Sequence, residues 1–477
     1  REARSFTATI TAAIAAVIGF MPTPEGLTLV GQRVLAVTVL MVVFGITEAM
    51  PIPFTALLPI LLFPLMGITG SKGQNDVQLF THYAYSTCYL LVGVGFLSGS
   101  MVKHGLHKRI SLGIVSKIGK KPTTLILGFI IAVAFVSMWM SNTAATVMML
   151  PVALAIASTM GDEAKGLRKA MVLCIPYAAT IGGMATTIGT TTNPTGIGLI
   201  KESIGIEIDF LDWLKIGLPF TLVLVPLMWI YMVKFFKVDK MPSIDISIAR
   251  KQYEELGPMN KGEKWTAIVF SFCVVLWVTR SLVWGDWVPF ATDETVAMLG
   301  AVLVIAIPLD YKEGEYVCDW KTGFNDIPWN AVILLGGSMV MGNAFKDAGV
   351  AGWVANMLSG LEGMNAVVIC IIVGIVTALL TELTTNAVVV AAFIPVLAGV
   401  GEAIGVSPFA MMIACMLACN FAFMLPPGTP PNAIAYGTGE ITMKDLVTCG
   451  LGLKIIALVV FPIVLYFITM GVFGIGT

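Results

Sequence analysis

Charge is scarce in this sequence. Asp, Glu, Lys and Arg make up 12% of the 477 residues, against roughly 25% in soluble domains, and the mean hydropathy is +0.90. A water-soluble fold is excluded, because too few polar side chains remain to cover it. Histidine is rarer still: His82, His104 and His107 have no spacing fit for metal ligation and read as loop residues. No CxxC pair occurs among Cys88, Cys174, Cys273, Cys318, Cys370, Cys415, Cys419 and Cys449, which lie mostly in apolar runs and read as reduced packing residues. HExxH, GxSxG, Walker A and a GxGxxG in a soluble βαβ setting are all missing, which leaves enzymatic readings and an ATP-driven pump without support. A net charge of −1 argues for neither nucleic acid nor a strongly acidic partner, and the placement of the charges carries the signal.

What the chain does have is long apolar runs. A helix needs about 20 apolar residues to span a bilayer, and such runs fall near 5–22, 33–50, 52–68, 86–102, 170–200, 213–236, 265–284, 294–308, 329–345, 407–437 and 447–472, eleven in all. The first, Phe6 to Met21, follows Arg1 and Arg4 as a signal peptide would, but has no small-x-small cleavage site before Pro22 and Pro24; it is read as a retained span.

Two further stretches, 122–160 and 363–401, are too long for one span and are broken midway by Ser141-Asn142-Thr143 and Thr384-Thr385-Asn386. Two complete spans apiece would return the chain to its starting side, as would a re-entrant hairpin. The polar tips favour hairpins, since they make poor interfacial turns but good cavity linings. Lys103, Lys108, Arg109, Lys117, Lys120 and Lys121 precede the first stretch and Lys165, Arg168 and Lys169 follow it, so its ends read as cytoplasmic. The basic segment 237–264 reads as a cytoplasmic amphipathic linker, whereas the flanks of the second stretch are poor in basic residues, as an external face should be. The N-terminus is then cytoplasmic and the C-terminus external.

At an offset of about 244 residues the two halves come into register: Lys103-His104-Gly105 meets Lys346-Asp347-Ala348-Gly349, Ser141-Asn142 meets Thr385-Asn386, and a proline, Pro151 or Pro395, stands nine residues past each Asn. Gly189-x-x-x-Asn193 likewise meets Gly428-x-x-x-Asn432 after a short contraction. The expected organisation is an all-α polytopic membrane protein of eleven transmembrane helices plus two re-entrant hairpins. It comprises a first transmembrane helix at 1–32, repeat 1 at 33–236 with hairpin 122–160, the linker, and repeat 2 at 265–477 with hairpin 363–401. Five spans and a hairpin per unit force the second repeat to be inverted, a layout whose site lies at the repeat interface.

Hairpin tips at mid-membrane leave half-helix ends without backbone partners, at several kcal/mol each unless a ligand satisfies them. Helix N-termini suit a carboxylate and unwound carbonyls suit Na⁺. Asn142 and Asn386 could serve both, and the Gly- and Pro-broken patches Gly189–Pro194 and Gly428–Asn432 supply a second pair of unwound loops. The bland alternative is that these are kinks whose hydroxyls and amides merely join helices, which explains one patch more readily than four paired by a repeat. Glu48 and Glu294 read as span-end residues, while Glu382, four residues before Asn386, is an intramembrane acid of open role.

At Ser141-Asn142-Thr143, at Thr381-Glu382-Leu383-Thr384-Thr385-Asn386 and at Gly428-Thr429-Pro430-Pro431-Asn432 the sequence resembles the divalent anion:sodium symporters, the INDY-type dicarboxylate transporters, and does so over nearly the whole chain. The resemblance implies a homodimer in the plasma membrane, with elevator-type scaffold and transport domains. It implies C4 to C5 dicarboxylates such as succinate, malate, fumarate or α-ketoglutarate as substrate and Na⁺ as the coupling ion. Carried over, one Na⁺ site uses Ser137, Ser141, Asn142 and Gly189 and its mate Thr381, Thr384, Asn386 and Gly428, while the carboxylates meet Asn142, Thr143, Thr385 and Asn386 with Thr429 and Pro430 nearby. The basic stretch 103–121 becomes a surface arm. This chain departs from the family pattern at Thr385-Asn386-Ala387, where a second Ser-Asn-Thr is expected; the hydroxyl missing at Ala387 weakens one carboxylate contact and opens the exchange mode that some members of the family resemble. Na⁺-coupled symport is the leading expectation, Na⁺-independent exchange the alternative, and a channel or intramembrane enzyme the outsider.

Overall fold

Proline, glycine and small polar caps decide where the helices of this chain begin and stop. The structure, a computed structural model, describes residues 15, 18–19, 21–47, 49–68, 76–117, 121–159, 164–240, 247–357 and 363–472. The expected first span at 5–22 lies almost wholly outside the described residues, and Glu48 lies outside them too. Among the described residues there are twenty-one α-helices: α1 Leu29–Thr47, α2 Ile52–Leu65, α3 Asp76–Thr81, α4 Ser86–His104, α5 Leu106–Lys117, α6 Pro122–Ser137 and α7 Asn142–Ala157. Next come α8 Lys165–Gly183, α9 Thr192–Ile204, α10 Phe210–Phe235, α11 Ser247–Glu255, α12 Lys261–Thr279, α13 Asp293–Ala306, α14 Trp320–Asp326 and α15 Trp329–Asp347. The last are α16 Val350–Met357, α17 Ala366–Leu380, α18 Asn386–Ile404, α19 Pro408–Ala418, α20 Pro430–Gly437 and α21 Met443–Val472. A two-stranded antiparallel ribbon, β1 Pro308–Asp310 and β2 Glu315–Tyr316, joins α13 to α14.

Local chemistry accounts for the ends. Pro122 opens α6 in the first turn, where its missing N–H is not needed. Ser141 caps α7 by accepting from the amide of Ala144 at 3.3 Å. Asn260 and Glu263 form a reciprocal capping box on α12. Helices α4, α9 and α18 end on Gly105, Gly205 and Gly405, each at φ 73°, a left-handed conformation that side chains resist.

Four helical segments among the described residues are long and apolar enough to cross a membrane: Leu79–His104, Phe210–Phe235, Lys261–Trp284 and Met443–Phe467. Their outward surfaces expose Leu222, Ile268, Val275, Ile455, Val459 and Ile463, a contiguous use of apolar side chains that hydrocarbon accepts and water does not. The spans expected at 170–200 and 407–437 are not continuous helices. Each is two helices either side of an unwound stretch, α8 and α9 around 184–191 and α19 and α20 around 419–429. Within 122–160 and 363–401 the chain forms helix pairs, α6 with α7 and α17 with α18, that break at the polar triplets. Helix α11 falls in the segment read as an amphipathic linker and α5 in the basic stretch read as a surface arm, whereas α3, α14, α16 and the ribbon are too short or too polar to register as spans.

Packing sorts the helices into two groups. In one, α4 lies on α13 and α14, α15 on α2, and α12 on α13; a Cβ on Gly93 would stand 2.5 Å from the backbone carbon of Ala297, so the α4 and α13 backbones touch. In the other, α6 and α7 lie on α8, α17 and α18 on α19, and α10 on α21, with α20 reaching across to α7 and α8 and α9 across to α18 and α19. The groups meet mainly where α15 packs on α18 and α9.

Candidate functional site

Both helix-pair tips are built on the same contact. Ser137, the last residue of α6, donates its hydroxyl to Ala179 O at 2.8 Å and accepts from the Asn142 side-chain amide at 2.8 Å. In the second half, Thr381 donates to Cys419 O at 2.7 Å and to Asn386 Oδ1 at 2.6 Å. In each case a hydroxyl one side of the break is clasped to the amide that opens the next helix, and both are fastened to the last turn of the helix that is about to unwind.

The unwound stretches are held by a second repeated contact. Asn193 Nδ2 donates to Gly183 O at 3.0 Å and Thr186 O at 2.7 Å, and Asn432 Nδ2 donates to Ala422 O at 3.0 Å and Leu425 O at 3.2 Å. Each amide thus bridges the two sides of a helix break and satisfies carbonyls that would otherwise be orphaned in an apolar interior. The side-chain oxygens of Asn193 and Asn432 are themselves buried without a partner.

The first tip gathers acceptors around the Asn142 side chain: its amide nitrogen donates to Ala179 O at 3.0 Å, Gly189 O at 3.3 Å and Ser137 Oγ at 2.8 Å. Carbonyls, a hydroxyl and an amide, with no thiolate or imidazole among them, are the ligand chemistry that suits a hard cation such as Na⁺.

Glycine is required at both closures. A Cβ on Gly189 would lie 2.6 Å from Gly183 O and 2.9 Å from Ser137 O, and one on Gly428 would lie 2.8 Å from Thr381 O. Gly189→Ala and Gly428→Ala are accordingly expected to splay the oxygens and weaken Na⁺ binding by about tenfold or more. The check is the thermal stabilisation that NaCl, relative to choline chloride, gives the purified protein; an unchanged shift counts against the site.

Not every expected residue joins these clusters. The Ser141 hydroxyl is engaged as the α7 cap, and that of Thr384 donates to Gly45 O of α1 at 2.9 Å. Thr143 and Ser141 line a cavity of about 660 Å³ that His107, Lys108, Gln252 and Asp326 also border. Thr385 is the cap residue of α18 but makes no capping bond, Thr429 is buried in extended backbone at φ −155°, and Pro430 opens α20. Ala387 packs on an apolar cluster with Ala56, Leu334 and Val388, which is why a methyl suffices where a hydroxyl was expected.

Some contributors escaped the sequence reading. Asn420 Oδ1 accepts from Asn386 Nδ2 at 3.3 Å; a lone buried Asn in an apolar span was its signal. Lys454, inside the apolar run of α21, pairs with Glu382 at 2.6 Å. Asp293, not its neighbour Glu294, is the engaged acid of α13, accepting from Arg280 at 3.1 Å and from the Phe210 amide at 2.6 Å. The histidines stand on helical turns, not loops: His104 Nε2 is 2.7 Å from Val317 O and His107 Nδ1 is 2.8 Å from Met101 O. All eight cysteines are free and buried.

Comparison with known proteins gives this geometry a context. A family described as "Sodium:sulfate symporter transmembrane region" matches residues 2–473. The sodium-dependent dicarboxylate transporter SdcS of Staphylococcus saprophyticus is 36% identical over 466 residues, covering 95% of this chain and 89% of that protein. Its namesake from Staphylococcus aureus is 34% identical over 466 residues, covering 95% and 88%. Among solved structures, the YdaH transporter of Alcanivorax borkumensis aligns with a TM-score of 0.60 and 12% identity over 88% of this chain and 99% of that one, a likeness of fold alone.

Proposed function

We propose, for a chain that belongs to the sodium:sulfate symporter family and is a membrane transporter, not an enzyme, that it carries C4 to C5 dicarboxylates together with Na⁺. The observation that carries this reading is the hydroxyl–amide–carbonyl clasp made twice, at Ser137–Asn142–Ala179 and Thr381–Asn386–Cys419. Na⁺ is cargo here. One ion would sit among the oxygens of Ser137, Asn142, Ala179 and Gly189, the other among those of Thr381, Asn386, Cys419 and Gly428.

The dicarboxylate would lie between the tips, its carboxylates facing the N-terminal turns of α7 and α18 and the hydroxyls of Thr143, Thr385 and Thr429, with Pro430 beside it. Charge supports this placement: Asn, Thr and helix N-termini offer donors without a fixed cation, so each carboxylate is best held when Na⁺ is already present. Coupling follows from that dependence.

We read 122–157 and 366–404 as re-entrant hairpins from opposite faces, in inverted repeats. The α6–α10 and α17–α21 group would travel as an elevator against a scaffold of α1, α2, α4 and α12–α15. The cavity at Thr143 opens beside basic Lys108, and the other tip is closed by Thr384 on Gly45; both features support an inward-open state. The functional unit would be a homodimer in the plasma membrane with its N-terminus in the cytoplasm.

Uptake of labelled succinate by proteoliposomes tests the reading. An inward Na⁺ gradient is expected to drive accumulation in empty vesicles, with choline in its place giving none. Uptake that ignores Na⁺ but demands internal dicarboxylate would establish exchange instead.

A further inference from the structure

One feature of the second tip has no counterpart in the first. Glu382 carries a buried carboxylate that touches three consecutive amides of the second unwound stretch: Oε1 accepts from Phe423 N at 2.9 Å and Met424 N at 3.0 Å, and Oε2 from Met424 N at 3.1 Å and Leu425 N at 2.8 Å. Lys454 Nζ lies 2.6 Å from Oε1 and also donates to Ala378 O, in the last turn of α17, at 2.6 Å. Both side chains are at least nine-tenths buried, at 5% and 3% exposure.

The first tip has nothing of this kind. Met138 follows Ser137 where Glu382 follows Thr381. A Cβ on Gly217 of α10 would meet Met184 O at 2.1 Å, and one on Gly450 of α21 would meet Phe423 O at 2.1 Å, so the two glycines correspond. Four residues on from them stand Thr221 and Lys454, and Thr221 merely donates to Ile181 O at 2.9 Å. The first unwound stretch is held by neutral bonds instead: Ala185 N donates to Gly182 O at 3.0 Å, Trp213 Nε1 of α10 donates to Met184 O at 3.1 Å, and the Thr186 hydroxyl donates to Met138 O beside Ser137.

An amide cradle in an apolar interior is an anion site. Here it is filled by the protein's own carboxylate, whose charge Lys454 cancels. We propose that Glu382 and Lys454 are positioning residues that lock the second cation half-site in its binding geometry, so that the two Na⁺ sites are unequal. The mechanism is mechanical: Glu382 adjoins Thr381, and Lys454 ties the carboxylate to α17. The Thr381 hydroxyl and the Gly428 loop, which approaches the Glu382 Cα closely enough that a Cβ there would sit at 3.3 Å, are then held whether or not an ion is bound. The first half-site has in place of this brace only the neutral bond from the Thr186 hydroxyl to Met138 O. The second site therefore loads Na⁺ at lower concentration, and the first completes only afterwards.

This proposal rests on the Na⁺-coupled reading above, and the experiment separates the two. Na⁺ activation curves for succinate uptake are measured on Lys454→Met, Glu382→Gln and the double variant, beside Thr221→Val as the control from the first half. Loss of the pair is expected to raise the Na⁺ concentration for half-maximal uptake about 10- to 100-fold, the usual cost of losing an outer-shell partner. The succinate KM at saturating Na⁺ should change less than about threefold, since no substrate contact is touched; a merely structural role would lower the amount of active protein without moving the Na⁺ curve. Single variants leave an unpaired buried charge and can fail to fold, but the double variant leaves none and carries the test alone if they do. An unmoved Na⁺ curve in the double variant, with the wild type Na⁺-dependent, overturns the proposal and leaves the transport reading intact. Na⁺-independent uptake by the wild type overturns both.

Discussion

Asn142→Ala and Asn386→Ala are each expected to reduce Na⁺-dependent succinate uptake about 100-fold or more, a loss of the size seen when metal-site partners are removed, while leaving the protein folded. Energetics separates the two effects. Removing the Asn142 amide deletes its contacts with Ser137, Ala179 O and Gly189 O, while the Ser137 hydroxyl keeps its 2.8 Å bond to Ala179 O. The fold loses about 1–3 kcal/mol out of a stability of order 5–15 kcal/mol. Asn386 is held by Thr381 at 2.6 Å and Asn420 at 3.3 Å, and the same reasoning applies. Function has no such margin in the proposed site, because there the amide is where cation and carboxylate would meet. Asn142→Asp sharpens the test: an extra negative charge should preserve stabilisation by Na⁺ and repel the dicarboxylate. Measured as succinate uptake beside a Na⁺-dependent rise in Tm, intact transport by either alanine variant would sink the proposed site.

How much of this was legible in the sequence follows from distance along the chain. Asn142 and Asn386 could be found because a polar triplet inside an apolar stretch has no cheap structural use. Gly189 and Gly428 could be found because glycine beside proline or threonine marks a break in a long span. The neighbouring hydroxyls were harder. Across a tip the residues that meet are five apart, Ser137 with Asn142 and Thr381 with Asn386, whereas the hydroxyl adjoining each Asn or one removed from it has work elsewhere: Ser141 caps α7 and Thr384 reaches Gly45 on α1. Lys454 was invisible for a plainer reason. It stands far down the chain from Glu382, and only the packing of α17 against α21 brings them together. Short helices such as α5 and α14 escape any reading based on spans, since length and hydropathy are what that reading counts.

The elevator reading makes a demand that a single cross-link can test. In this structure the second tip is shut against α1: Thr384 donates to Gly45 O, and a Cβ built on Gly45 would lie 4.0 Å from the Val388 Cβ. That separation is within the roughly 3.5–4.5 Å that a disulfide requires, and replacing Val388 by cysteine removes the Cγ1 that would crowd the new Cβ at 2.8 Å. The native cysteines are all buried, so background oxidation is small. The double variant Gly45→Cys with Val388→Cys is expected to cross-link on mild oxidation and to lose uptake by about tenfold or more, because a covalent bond of this kind resists any motion that ordinary binding energy of a few kcal/mol can drive. Reductant should restore transport, and each single variant should transport regardless of oxidant. Uptake that survives complete cross-linking, quantified by mass spectrometry on the same vesicles, would mean that α18 never leaves α1 during the cycle. The helices that bear Asn386 would then be part of the fixed frame, and access would have to alternate by movement of the first tip alone.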